Sequence, residues 1–278
     1  MKPQIGLLAV DIDGTLLDAS FQVSAANVAA LRRAHQRGIE VLLTTGRRHT
    51  FAMPIAEALG FDVWLISSNG AVTKSSRGEL FHRDLLPAAV ARRILRHLQD
   101  FRRNTVLTFD REDHGALVIE CADELNESIA RWMEKNAAFI ERVVPLEAAL
   151  TTDPVQAMLC GTISRMKEAE ARLATADFLG DVTVLKTQYD HRNLVMLDLL
   201  NRDCSKGHAL RRWAKYRGIA REQIMAIGDN YNDVEMLEFA GVPVIMGNAC
   251  EELKHNGWIL TLSNDQSGVA AALEQVGI

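Results

Sequence analysis

Leu7-Leu8-Ala9-Val10-Asp11-Ile12-Asp13-Gly14-Thr15-Leu16-Leu17 is the stretch from which the rest of the chain is read. The apolar run from Ile5 to Val10 predicts a strand buried on both faces, and it delivers two carboxylates, Asp11 and Asp13, where a turn begins. An ionised carboxylate at the mouth of a core is costly unless a cation, a set of donors or a raised pKa relieves it. Asp and Gly are also the commonest turn residues, so D-x-D-G-T alone does not decide between a site and a loop tip.

Working outward, the same arrangement recurs. Ser24 is placed to cap a helix carrying Val28, Leu31 and His35, with Gly38 at its end. Ile39 to Leu43 predict a second strand ending in Thr44-Thr45-Gly46-Arg47, and Val63 to Ile66 a third ending in Ser67-Ser68-Asn69-Gly70. Later, Ser205 is a candidate N-cap that puts Lys206 in the first turn of a helix ending near Gly218. Ile224 to Ile227 then form a strand ending in Gly228-Asp229-Asn230-Tyr231-Asn232-Asp233. Lys206 opposes the helix dipole, so local stability does not explain it. In open parallel sheets ligands bind beyond the carboxyl ends of strands, so these ends are expected to share one crevice.

Between these halves the texture changes. An Arg-rich helix near Ala88 to Asp100 is followed by a hairpin of Thr105 to Phe109 and Ala116 to Cys121. A helix near Glu124 to Ala138, a strand near Val155 to Cys160, a helix from Ser164 and a strand at Val182 to Lys186 come next. Leu194 to Leu199 either closes this section or re-enters the first sheet. We expect an α/β protein with a doubly wound parallel sheet built from residues 1–83 and 191–278, and a second α+β domain, 84–190, inserted into it. The 161 positions separating Thr45 from Lys206 far exceed what one βα unit needs.

Composition narrows the partners. A net charge of −5 and a pI near 5.9 disfavour a broad nucleic-acid surface. Thirteen Lys and Arg stand against seventeen Asp and Glu in 84–189, so the Arg92-Arg93-Arg96 and Arg102-Arg103 clusters read as a solvated face. The four cysteines are scattered, with no zinc-type spacing. The first apolar run ends at Asp11 without a small-residue cleavage site, and no stretch approaches the ~18 apolar residues of a spanning helix. These features predict a cytoplasmic protein with no membrane or nucleic-acid partner; oligomeric state is not readable.

Carboxylates meeting at a strand-end crevice form a hard oxygen site suited to Mg²⁺. A hydroxyl, backbone N–H groups at a glycine and a lysine are what phosphate oxygens require. Taken with their order along the chain, Asp11-Ile12-Asp13-Gly14-Thr15, Thr44-Thr45-Gly46-Arg47, Ser68-Asn69-Gly70-Ala71, Ser205-Lys206-Gly207 and Gly228-Asp229-Asn230-Tyr231-Asn232-Asp233 resemble the haloacid dehalogenase superfamily. The resemblance is to its Cof-type (subfamily IIB) phosphatases, and it extends through Gly247-Asn248-Ala249 to Ser263-Asn264.

That resemblance implies a Rossmann-like core with an inserted α/β cap of the C2B type. It also implies a Mg²⁺-dependent phosphatase acting on a small phosphorylated metabolite, such as a sugar phosphate, through an aspartyl-phosphate. Asp11 would be the nucleophile and Asp13 the general acid and base. Thr45, Gly46, Lys206 and Asn232 would bind phosphate. Asp11, the main-chain carbonyl of Asp13 and Asp229 would bind the metal, with Asp233 steadying it from a ligand or outer position; Arg47 and Asn69 are candidates for substrate contact. One feature departs from the family pattern: Asn201-Arg202-Asp203-Cys204-Ser205 precedes Lys206 where relatives often carry a Pro/Gly-type turn. A phosphomutase on the same scaffold and a non-catalytic binding protein are the alternatives. A P-loop is excluded because no G-x-x-x-x-G-K-[ST] occurs.

Overall fold

A computed structural model describes residues 4–121 and 127–278. The chain divides into two compact units, Met1–Arg83 with Ser205–Ile278, and Asp84–Cys204. The first unit begins β1 (Leu7–Asp11), α1 (Ala25–Gln36), β2 (Glu40–Thr44), α2 (His49–Leu59) and β3 (Trp64–Ser67), followed by β4 (Val72–Ser75) and β5 (Leu80–Arg83).

Alternation along β1 explains why its sequence reads as one apolar run. Leu8 and Val10 enter a core with Leu31 of α1, Ile55 of α2 and Leu273, while Leu7 and Ala9 enter a second core with Leu210 and Trp213 on the opposite face. Both faces are covered, so neither set of side chains can be polar. Asp11 continues the odd-numbered series, and this register turns it toward the face that carries Leu210 and Trp213.

The second unit contains α3 (Ala88–His97), β6 (Thr105–Thr108), β7 (Leu117–Ile119), α4 (Glu127–Asn136), β8 (Ile140–Arg142), β9 (Gln156–Gly161), α5 (Ile163–Leu173), β10 (Val182–Tyr189) and β11 (Leu194–Asn201). Among the described residues its sheet has the order β10-β11-β9-β6-β7-β8, antiparallel except where β7 runs parallel to β8. Ile94 and Leu95 of α3 and Met166 of α5 pack on one face against Leu107, Leu159 and Leu197. The first residues of the helix expected at Glu124 to Ala138 lie outside the described residues.

The chain re-enters the first unit with α6 (Lys206–Arg217), β12 (Ile224–Gly228), α7 (Val234–Phe239), β13 (Val242–Ile245), α8 (Glu251–Lys254), β14 (Ile259–Leu260) and α9 (Gly268–Val276). Among the described residues the sheet order is β14-β13-β12-β1-β2-β3-β4-β5. Successive strands from β14 to β3 are parallel, with β1 between β2 and β12. The order reverses at β1, which makes its carboxyl end the switch point of the sheet.

The expected doubly wound parallel core is present, and β4 and β5 extend it antiparallel, because connections as short as the turn through Gly78 cannot carry a crossover. One expectation is corrected. The second unit does not stop at residue 190. β11 pairs with β10 over its full length and with β9, so Leu194 to Leu199 belongs to the second sheet and the unit runs to Cys204.

Candidate active site

The site is built on the ends of β1, β2 and β12 and on the first turn of α6. Leu210, Trp213 and Ala214 of α6 pack on Leu7, Ala9 and Leu42, and the Trp213 indole N–H donates to Glu40 Oε1 at 2.8 Å. At the other end of α6, Ser205 is the N-cap as expected, its Oγ accepting from the His208 N–H at 3.1 Å. The polar stretch before it turns through Asp203, whose φ of 59° lies in the left-handed region that Asp tolerates. Gly70 lies beneath the start of α6 with φ 109°, and a Cβ there would stand 2.2 Å from the Ser205 carbonyl oxygen, so only glycine admits α6 at this depth.

Lys206 is thereby sent to the carboxyl ends of β1 and β12 at the centre of the sheet. Its side chain is 1% exposed, and Nζ donates at 2.7 Å to Asp11 Oδ1 and at 2.7 Å to Asp233 Oδ1. Asp233 Oδ2 accepts the N–H groups of Asp229 and Asn230, both at 3.1 Å, which folds the loop after β12 around its carboxylate. Thr15 Oγ1 donates to Asp229 Oδ1 at 3.0 Å. Gly14, at φ 82°, makes the approach possible, since a Cβ would meet Asp229 Oδ2 at 2.3 Å. Asp11, Asp229 and Asp233 each offer an oxygen within 4.8 Å of the others, and all three are buried.

Electrostatics follow from this crowding. Burial, and then Asp233, push the Asp11 carboxyl up to about 7 from its ordinary 3.8, against the pull of Lys206. Burial, Asp11 and Asp233 hold Asp229 well above the carboxylate range. Burial works to lower Lys206, but its two carboxylate partners outweigh it and raise the ammonium above its ordinary value. Three carboxylates against one ammonium leave two uncompensated negative charges when ionised. An all-oxygen donor set with that deficit fits a hard divalent cation.

The other expected residues occupy the rim. Asp13 is outside the carboxylate cluster: Arg47 Nε donates to its Oδ2 at 2.8 Å and Nη2 to its Oδ1 at 2.5 Å. Thr45 is buried, its Oγ1 accepting the Arg47 N–H at 3.0 Å, while Gly46 is exposed at the loop tip. Asn69, at φ 53°, donates its N–H to the Thr45 carbonyl at 3.0 Å and accepts from Asn232 Nδ2 at 2.9 Å. The loops after β2, β3 and β12 are thus tied together, and Asn69 braces rather than joins the acidic cluster.

Several contacts were not foreseen. Thr15 holds Asp229. Asn248 Nδ2 donates to the Gly14 carbonyl at 2.8 Å and Asn264 Nδ2 to the Leu17 carbonyl at 2.8 Å, securing the turn after β1. His208 Nδ1 lies 3.0 Å from Ser205 Oγ and 3.1 Å from Glu235 Oε2, linking the starts of α6 and α7. Asn248 and Asn264 stood within the quoted motifs but carried no role; nothing in the spacing of His208 and Glu235 announced their meeting.

With this geometry in view, similarity to known proteins is informative. The sequence profile of the haloacid dehalogenase-like hydrolases matches residues 8–273. The phosphatase YwpJ of Bacillus subtilis is 33% identical, over 97% of this chain and 99% of its own. The 5-amino-6-(5-phospho-D-ribitylamino)uracil phosphatase YwtE of the same organism is 28% identical, over 97% of each chain. The solved structure of a B. subtilis haloacid dehalogenase-like hydrolase superposes with a TM-score of 0.81 at 30% identity, over 97% of this chain and 99% of that one. The chain therefore belongs to the haloacid dehalogenase-like hydrolases, in their Cof-type phosphatase branch, and is a phosphoric monoester hydrolase.

Proposed function

We propose that the protein is a Mg²⁺-dependent phosphatase of a small phosphorylated metabolite, in particular a sugar or polyol phosphate, working through an aspartyl-phosphate on Asp11. The observation that carries this reading is the buried Lys206 ammonium at 2.7 Å from both Asp11 and Asp233, beside Asp229. A relative that acts on a phosphoribityl compound supports the polyol side of the substrate class.

In the first half, an Asp11 oxygen attacks phosphorus in line as the ester P–O bond breaks, and Asp13 gives the leaving oxygen its proton. Lys206, Thr45 Oγ1, the Gly46 N–H and Asn232 meet the charge that spreads over the equatorial oxygens. In the second half Asp13 takes a proton from water, the water oxygen bonds to phosphorus, and the Asp11 carboxylate is released. Asp11, the Asp13 main-chain carbonyl and Asp229 would hold Mg²⁺. Asp233, whose two oxygens already accept from Lys206 and from the loop N–H groups, would steady the site from behind. The cation supplies charge neutralisation at the phosphoryl oxygens.

We assign the inserted unit, Asp84–Cys204, the role of the specificity cap. Its support is connectivity: the chain leaves the first unit after Arg83 and returns at Ser205, directly before Lys206. Four cysteines without a disulfide, three in the second unit and one in the first, suit a cytoplasmic enzyme, and among the described residues no helix is long and apolar enough to cross a membrane.

The test is phosphate release from a panel of sugar, polyol and aromatic phosphates, with Mg²⁺ and with EDTA. Turnover that depends on Mg²⁺ and is abolished by Asp11→Asn, with a sugar or polyol phosphate giving the highest kcat/KM, is the expected result. Full turnover by Asp11→Asn removes the nucleophile assignment.

A further inference from the structure

The contacts of Arg47 are those of a residue that works on another side chain. Its backbone is fixed twice, the N–H donating to Thr45 Oγ1 at 3.0 Å and the carbonyl accepting the Ser68 N–H at 2.8 Å. Its guanidinium grips Asp13 by two parallel bonds, Nε to Oδ2 at 2.8 Å and Nη2 to Oδ1 at 2.5 Å. The side chains are only 29% and 26% exposed, so the pair is partly shielded from water. A fork-to-fork pair fixes the plane of a carboxylate, which otherwise turns in a broad two-fold well. To bind a substrate phosphate with the same edge, Arg47 would have to release Asp13.

The geometry points to Arg47 as a positioning residue that acts through Asp13 in the second half of the reaction, rather than as a substrate ligand. This rests on the proposed assignment of Asp13. The guanidinium occupies the carboxylate lone pairs that face it and leaves the outward ones. Those are the lone pairs that accept the proton of the attacking water. The water oxygen then bonds to phosphorus, the phosphorus–oxygen bond to Asp11 breaks, and the electron pair returns to the Asp11 carboxylate. A displaced acceptor slows this step, because a misplacement of about 1 Å costs on the order of 100-fold. Formation of the aspartyl-phosphate from an ester with a good leaving group needs little proton transfer and is spared.

The experiment is rapid-quench kinetics of Arg47→Lys and Arg47→Gln with p-nitrophenyl phosphate and Mg²⁺, with acid trapping of the phosphoprotein. The expected result is a burst of about one equivalent of nitrophenolate per site, followed by a steady state lowered about 100-fold, with acid-stable phosphoprotein accumulating and KM not raised. Two results overturn the inference: a raised KM with parental kcat, which makes Arg47 a substrate ligand, or a lowered kcat without phosphoprotein. Asp13→Asn separates this from the underlying reading. If Asp13→Asn traps phosphoprotein and the Arg47 variants do not, the positioning role alone falls. If Asp13→Asn turns over at the parental rate, the base assignment falls with it.

Discussion

In the first unit Asp11, Lys206, Asp229 and Asp233 are all buried at the end of a sheet, and the Lys206 Nζ bridges two of the acids at 2.7 Å. In the second, Arg102 binds Glu120 and Glu147 through side chains that are 22–29% exposed. A buried acid of its sheet, Asp198, accepts a hydrogen bond from Gln156 Nε2 at 2.9 Å. The same residue types therefore carry different costs. Partly hydrated pairs such as Arg102 with its glutamates add little to stability. A buried cluster with too few cations loses stability by being charged, which marks it as a candidate functional site and not a structural one.

The difference can be broken most directly at Asp11. Asp11→Asn should lower phosphate release by about 10⁴-fold or more, as loss of a nucleophile does, while the melting temperature holds or rises because one uncompensated charge leaves the core. A fall in melting temperature as large as that of a core truncation would mean that the cluster stabilises the fold. Next comes Lys206→Met, which strands three buried carboxylates. It should cost about 100- to 1,000-fold in kcat and, in metal-free buffer, ~3–5 kcal/mol in urea unfolding; a smaller stability loss with Mg²⁺ present would place the compensation on the ion.

Protons sharpen the contrast further. The Asp11 carboxyl is raised from 3.8 to about 7, chiefly by burial, so across that window the native state holds a proton that the unfolded state has lost. The contribution is fully present below the lower value and is lost as pH rises through the upper one. Thermal melts in EDTA should fall between about pH 5 and about pH 8, by a few kcal/mol at most, and Mg²⁺ should stabilise more at the higher pH. Equal stabilisation by Mg²⁺ at both would contradict the charge deficit. The smallest effect belongs to the second unit: Arg102→Ala should change stability by ~1 kcal/mol or less and leave kcat for an aryl phosphate unchanged.

Legibility followed burial. β1, β2, β3 and β12 were recognisable because both faces of the central sheet are packed, so the strands had to be apolar throughout. β5 was missed because its four residues are not buried at the sheet edge, and β8 because three residues give no period to read. Leu194 to Leu199 is apolar enough for either sheet, and its place was settled by pairing with β10 and β9, a long-range choice that alternation within one strand does not encode. At the site, the motif residues were legible because strand ends tolerate acids, Thr and Lys only for a reason. The grip of Arg47 on Asp13 and the link of His208 to Glu235 were not, since each depends on side-chain directions set by separate loops.

By itself the amino-acid order determined that this is an α/β chain, that an insertion interrupts it, and that carboxylates, a threonine and a lysine stand at strand ends and a helix start. These are properties of single segments, imposed by local periodicity and by the cost of polar groups beside apolar runs. Tertiary structure decided which of those groups meet: Asp11 with Lys206 across 195 positions, Thr15 with Asp229 across 214, and Asp13 with Arg47 instead of with the acidic cluster. Coulombic energy and hydrogen bonding depend on distances of a few ångströms, and only the packing of α6 and the closing of three loops fixes those.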